Sequence, residues 1–88
     1  MADEFFVLRY AEEQPDPSYY WDSNSAGKLA AIDRDSGGYP YAVDSIFQAK
    51  RFGTVTDATA YAEMFRGVFM IYGVYVSCTE RPMSTEPV

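Results

Sequence analysis

Short stretches of alternating apolar and polar residues along this chain predict a β-sheet. Strands are predicted at residues 4–10, 28–33, 39–43 and 68–79. The third of these contains Pro40, which cannot donate a ladder hydrogen bond, so we expect that strand at an edge of the sheet. The fourth is apolar on both faces, which predicts either an interior position or a second face that meets a partner.

One helix is predicted at residues 55–66. Thr54 is a good N-cap and Asp57 lies three residues after it, while Gly67 supplies a left-handed stop. The apolar positions repeat at helical spacing and form one stripe, made of Val55, Ala58, Tyr61, Ala62 and Phe65. Between the third strand and this helix, Ser45 is predicted to cap a short helical turn whose inward residues are Ile46, Phe47, Ala49 and Phe52.

These elements predict an α+β fold, in which a small antiparallel sheet of three or four strands packs one main helix on one face. We expect a single domain over residues 1–80 and a flexible C-terminal tail over 81–88, where Pro82 and Pro87 lie. One helix cannot cover both faces of a sheet. The aromatic residues of the other face must therefore meet water, a loop or another chain.

The negative charge is concentrated at the front of the chain. Residues 1–22 contain six carboxylates and one base, Arg9, whereas residues 50–88 contain four acids and four bases. A net charge of −6 argues against direct binding of nucleic acid and against binding to a membrane surface, because both partners are themselves anionic. Without a basic and apolar leader or an apolar stretch of membrane length, we expect a cytoplasmic protein.

The absence of histidine removes the commonest general base and the commonest metal ligand. We therefore predict that the protein is not an enzyme and has no catalytic residues, cofactor or metal site. One carboxylate spacing leaves an alternative open. Asp33, Asp35 and Asp44 nearly fit a calcium loop, although Gly37 occupies its fifth position; the other interpretation is a hairpin turn with solvated acids.

A run of aromatic residues lies within the acidic segment, and tyrosine and tryptophan are the usual anchors of protein interfaces. We predict a partner-binding surface made of Glu12, Glu13, Asp16, Tyr19, Tyr20, Trp21 and Asp22. The competing interpretation is that the three aromatic residues cap a small core. A second aromatic stretch, Tyr39-Pro40-Tyr41, is interpreted first as a turn with aromatic flanks and second as a contact loop.

The order FFVLRY, YYWD, GGYPY and AKRFGTVTDATAYAEMF, followed by an apolar strand, resembles short bacteriophage accessory proteins. Some of these are anti-CRISPR or other anti-defence inhibitors. The resemblance implies a non-enzymatic inhibitor in the bacterial cytoplasm that blocks a host nucleic-acid-handling complex. The expected partner is a host protein, or protein–nucleic-acid complex, with a basic surface. The alternative is a self-assembling phage component that forms a homodimer; we favour the monomer.

Overall fold

Five antiparallel strands and one α-helix make up the computed structural model of this chain, which describes residues 4–12, 26–65, 67–75, 79–83 and 87–88. The elements are β1 (Phe5–Tyr10), β2 (Leu29–Asp33), β3 (Tyr39–Val43), α1 (Val55–Ala62), β4 (Phe69–Val74) and β5 (Glu80–Pro82). The strand order is β3-β2-β1-β4-β5. The α+β class and the edge position of β3 are confirmed.

The expected number of strands, three or four, was too low, because β5 was not foreseen. This strand is three residues long and has the sequence ERP, which has no apolar alternation. It also occupies part of the predicted tail. Further along, the N–H of Met83 donates to the carbonyl of Ile71 at 2.8 Å, and the N–H of Val88 donates to that of Phe69 at 2.9 Å. The described parts of residues 81–88 therefore follow the outer edge of β4.

The helix begins where the capping residues predict. The Oγ1 of Thr54 accepts a hydrogen bond from the N–H of Asp57 at 3.1 Å. The α-helix ends at Ala62, earlier than expected, and a 3-10 turn continues it over Glu63–Phe65. The predicted end, Arg66, lies outside the described residues, and Gly67 has the left-handed φ of 82° that the stop requires.

The main core lies between α1 and one face of the sheet. Ala58 and Ala62 of the helix are fully buried, and their small side chains let the helix lie close to β1 and β4. Phe69 is also fully buried, and its ring centroid lies 4.8 Å from that of Tyr10 and 6.1 Å from that of Phe65. Aromatic packing thus joins the two central strands to the end of the helix.

Burial of Tyr10 in this core makes stability depend on alkaline pH. Desolvation raises the pKa of Tyr10 from 10.0 to about 12, because the phenolate is disfavoured away from water. Above pH 10 the unfolded state loses this proton and the folded state keeps it, so stability is complete below pH 10 and declines as the pH rises towards 12. We expect a loss of about 2–3 kcal/mol, at about 1.4 kcal/mol for each unit of pKa difference.

Urea unfolding at pH 8, 10 and 11 measures the first part of this loss, which reaches about 1.4 kcal/mol at pH 11. Tyr10→Phe should flatten the alkaline decline, whereas Tyr41→Phe, at a half-exposed position, should leave it as in the parent protein. An alkaline decline of the same size in the Tyr10→Phe variant would contradict the assignment.

The second face of the sheet is covered in part by the segment between β3 and the helix. Val7, Leu29 and Val74 are buried on this face, and Ile46 and Ala49 of that segment pack against them. Of the possibilities left open for this face, the structure shows a loop that folds over it. The prediction that Phe47 points inward is wrong, because its side chain is 77% exposed. Since Ile46 and Ala49 take the inward positions of the turn, Phe47 between them faces water.

The same segment then enters the sheet between β1 and β2. These two strands are in register only at Arg9 and Leu29. Beyond that point Lys50 donates its N–H to the carbonyl of Ala30 at 3.0 Å, and Phe52 exchanges two backbone hydrogen bonds of 2.8 Å with Phe6. Residues 50–52 therefore supply the backbone partners that β1 and β2 do not supply to each other.

The last predicted strand is shorter than expected. Within the described residues β4 covers Phe69–Val74 rather than residues 68–79, and positions 76–78 lie outside them, including Cys78. Its interior position is confirmed, because β4 lies between β1 and β5.

Candidate protein-binding surface

Most of the predicted binding residues lie outside the described part of the chain. Glu12 is described and its side chain is exposed. The others, which the structure does not describe, are Glu13, Asp16, Tyr19, Tyr20, Trp21 and Asp22. The structure therefore does not test whether these residues form one surface.

The two described ends of this acidic segment are fixed at the same end of the sheet. The N–H of Gly27 donates to the carbonyl of Tyr10 at 2.9 Å, and the N–H of Tyr10 donates to the backbone carbonyl of Lys28 at 2.8 Å. The φ of Gly27 is 76°, and a Cβ atom at this position would lie 3.6 Å from the Oε1 of Glu12. Glycine is needed here because its backbone adopts a left-handed conformation.

Arg9 links these ends to β5 at the other edge of the sheet. Its guanidinium forms a bidentate pair with Glu80, at 2.7 Å from Nε to Oε1 and 2.6 Å from Nη2 to Oε2, and Nη1 also donates to the carbonyl of Gly27. The guanidinium lies 5.7 Å from the ring centroid of Tyr72. The hydrogen bond to Glu80 is the main cause that raises the pKa of Arg9. Arg9, the one basic residue among residues 1–22, therefore forms its ion pair with Glu80 of β5.

An exposed aromatic surface runs along the edge strand β3. Tyr39 is 64% exposed and Tyr41 is 50% exposed. Alternation in the strand starts both side chains on the same face of the sheet, and the ring of Tyr39 extends from there to contact Phe65 at the end of the helical segment. Exposed acids stand at the two ends of the strand, Asp35 in the preceding turn and Asp44 directly after it. We call the set Asp35, Tyr39, Tyr41 and Asp44 the β3 surface.

The two tyrosines differ in how they are supported. The ring of Tyr39 packs edge-on against Phe65, with 6.4 Å between centroids. The neighbouring carbonyl of Gly38 accepts a hydrogen bond from the hydroxyl of Tyr61 at 2.7 Å, which ties the start of β3 to the helix. Tyr41 has no aromatic or cationic ring contact among the described residues.

Of the carboxylates around β3, Asp33 stabilises the preceding turn and Asp44 is exposed on the surface. Asp33 accepts a hydrogen bond from the N–H of Asp35 at 3.0 Å, which stabilises the turn before β3. Asp44 lies 3.5 Å from the Nζ of Lys28, and the side chains are 85% and 41% exposed, so water and salt screen this pair. Among the described residues, no three acidic or cysteine side chains are grouped to hold a metal ion. The calcium-loop spacing of Asp33, Asp35 and Asp44 therefore does not become a ligand cluster.

The sequence contained a signal for this surface that the predicted site did not use. Pro40 indicates an edge strand, and period-two alternation then places Tyr39 and Tyr41 together on one face. The turn interpretation of the GGYPY stretch leaves both tyrosines out of the predicted site.

Comparisons with protein-family models, with curated proteins and with solved structures give no match to this chain. Within the described part of the chain, no helix is long and apolar enough to cross a membrane.

Proposed function

We propose that this protein is a non-enzymatic binding protein that docks on a basic surface of a partner protein. The observation that carries the proposal is the pair of exposed tyrosines on β3, with Asp35 at one end of the strand and Asp44 at the other. Large aromatic side chains are expensive to leave in water and supply most of the contact energy of protein interfaces. The flanking carboxylates favour a cationic partner.

The narrower form of the proposal is an inhibitor of a host nucleic-acid-handling complex. It is supported by the resemblance to phage anti-defence proteins and by the net charge of −6. An acidic surface that occupies the phosphate-binding site of the partner prevents the nucleic acid from reaching the lysines and arginines of that site. In this form Glu12, at the fixed base of the acidic segment, and the predicted residues that follow it belong to the same interface.

We propose that the protein acts as a monomer. The second face of the sheet carries Ile46 and Ala49 of the same chain, so this part of the face does not need a second copy for cover. The net negative charge also makes two copies repel each other.

The proposal predicts that charge reversal on the β3 surface abolishes partner capture. The test variant combines Asp35→Lys with Asp44→Lys, and a matched control combines Asp57→Lys with Glu63→Lys, which makes the same charge change at exposed positions of the helical segment. Each immobilised protein is exposed to a bacterial lysate at about 50 mM and about 300 mM salt, and the retained proteins are quantified by mass spectrometry. The parent and the control should retain the same basic partner, more weakly at high salt, because salt screens exposed charges.

Added duplex DNA should release the partner if the surface occupies a nucleic-acid site. Equal loss of capture in both double variants would show a non-specific effect of net charge, and retention in both would show that the β3 surface is not the contact. Either result contradicts the proposed function.

A further inference from the structure

We infer that the partner presents arginine side chains which stack on Tyr41 and Tyr39, and that it binds to the face of β3 instead of adding a strand to its edge. This inference rests on the proposed function and specifies the chemistry of its partner. Three observations carry it: the hydrogen-bonding pattern of β3, the way in which the chain uses its own cations, and the charge around the two rings.

The open edge of β3 is a poor template for another strand. In an antiparallel pair, successive residues turn their backbone groups alternately to the two sides. The carbonyl of Ala30 accepts from Lys50, so Ala30 turns away from β3, while Ala31 faces it and is paired with Tyr41. The residues of β3 that turn to the open edge are therefore Pro40 and Ala42.

Pro40 has no N–H, so Ala42 provides the one backbone donor that β3 directs outward. Strand addition depends on a row of main-chain hydrogen bonds, which this edge cannot supply. A partner must therefore bind through the side chains that stand on the face of β3, and these are Tyr39 and Tyr41.

The chain itself repeatedly places a cation over an aromatic ring. The guanidinium of Arg51 lies 4.4 Å from the ring centroid of Phe5, that of Arg81 lies 5.4 Å from Tyr75 and that of Arg9 lies 5.7 Å from Tyr72. Lys50 is similarly placed over Phe52. Within the described residues Tyr39 and Tyr41 have exposed rings without such a cation, although they lie in an acidic part of the chain.

The charge around these rings suits a guanidinium from outside. Residues 33–44 contain three carboxylates and one cation, Arg34, and Lys28 lies 3.5 Å from Asp44, so the local net charge is −1. Arginine matches both features of the surface, because its planar group stacks on an aromatic face and its N–H groups also bind carboxylates. Lysine is a strongly hydrated point charge and gains less from the ring. A preference for arginine over lysine at equal charge therefore distinguishes stacking from simple attraction.

The test uses two labelled nine-residue peptides, one alternating arginine with serine and the other lysine with serine. Binding to the full chain is measured by fluorescence polarisation at about 50 mM salt. We expect the arginine peptide to bind about two- to five-fold more tightly for each exposed ring that it covers. Tyr41→Ala should reduce this preference, and Tyr41→Phe, which keeps the ring, should retain it. Phe47→Ala controls for the loss of an exposed ring outside the β3 surface.

Equal binding of the two peptides would overturn the inference and leave the proposed function standing, since charge attraction alone would then explain binding. The same holds if Tyr41→Ala and Phe47→Ala reduce the preference equally. Binding of neither peptide would also overturn the inference. Failure of the proposed function is a separate result, because it appears as partner capture that stays unchanged when Asp35 and Asp44 are both replaced by lysine. Circular dichroism of each variant shows that the fold is retained.

Discussion

Phe69→Ala is expected to reduce the free energy of unfolding by about 3–5 kcal/mol, the usual cost of removing a buried phenylalanine ring. The side chain of Phe69 is fully buried, and its ring contacts the rings of Tyr10 and Phe65. Helix and sheet close around this ring, so the cavity cannot collapse without moving one of them. Because a domain of this size has a total stability of only about 5–10 kcal/mol, the variant should be close to unfolding at 37 °C.

Urea unfolding followed by circular dichroism measures this effect. Phe47→Ala removes the same side chain from a position that is 77% exposed, so it should change stability by no more than about 0.5 kcal/mol. Similar losses in the two variants would contradict the placement of both rings.

Ala58→Leu is expected to destabilise the protein by about 1–3 kcal/mol, because a larger side chain does not fit in a packed interior. Ala58 is fully buried where α1 meets β1 and β4. Its N–H donates a hydrogen bond to the carbonyl of Thr54 at 3.2 Å, which fixes its place in the first turn of the helix. To admit three more carbon atoms, the helix must move away from the sheet.

Ala60→Leu is the matched control for this substitution. Ala60 lies two residues further along the same helix with its side chain exposed. Alanine and leucine have similar helix propensities, so the control should stay within about 0.5 kcal/mol of the parent protein. If Ala58→Leu were equally neutral in urea unfolding, the close contact between α1 and the sheet would be refuted.

The elements that could be predicted from the sequence are those with local signals. Thr54 and Gly67 marked the ends of the helical segment because caps and left-handed stops depend on the residues directly beside them. Alternation and Pro40 identified β3 as an edge strand in the same way. A helix or strand of this kind is specified within about a dozen residues, so the sequence was sufficient.

The parts that escaped prediction depend on residues that are distant in the chain. The strand β5 is held by pairing with β4 and by the bond between Glu80 and Arg9, which lie 71 positions apart. The entry of residues 50–52 between β1 and β2 likewise has no sign in their own sequence. Such placements are decided by which unpaired backbone groups remain once the sheet has assembled.

For the candidate site, the sequence indicated the chemistry of a partner surface, while the predicted residues from Glu13 to Asp22 lie outside the described part of the chain and stay a prediction. Acidic and aromatic residues indicated a surface for a basic partner, and the charge count led to the segment around Tyr19–Trp21. The exposed pair Tyr39 and Tyr41 was harder to find, because exposure depends on which strand has a neighbour. β3 is an edge only because β2 takes its second neighbours from β1 and residues 50–52.

The position of β1 in the sheet also determines when the protein can fold. β1 pairs along its whole length with β4, near the other end of the 88-residue chain, and at one position with β2. A ribosome makes β1 before β4, so the strand that pairs along the whole length of β1 is missing until the chain has been made as far as Val74. Pairing between distant segments is also slow, because a long loop must close before any contact is gained. We therefore expect folding in one late cooperative step, preceded by an interval in which β1 is open to chaperones and to aggregation.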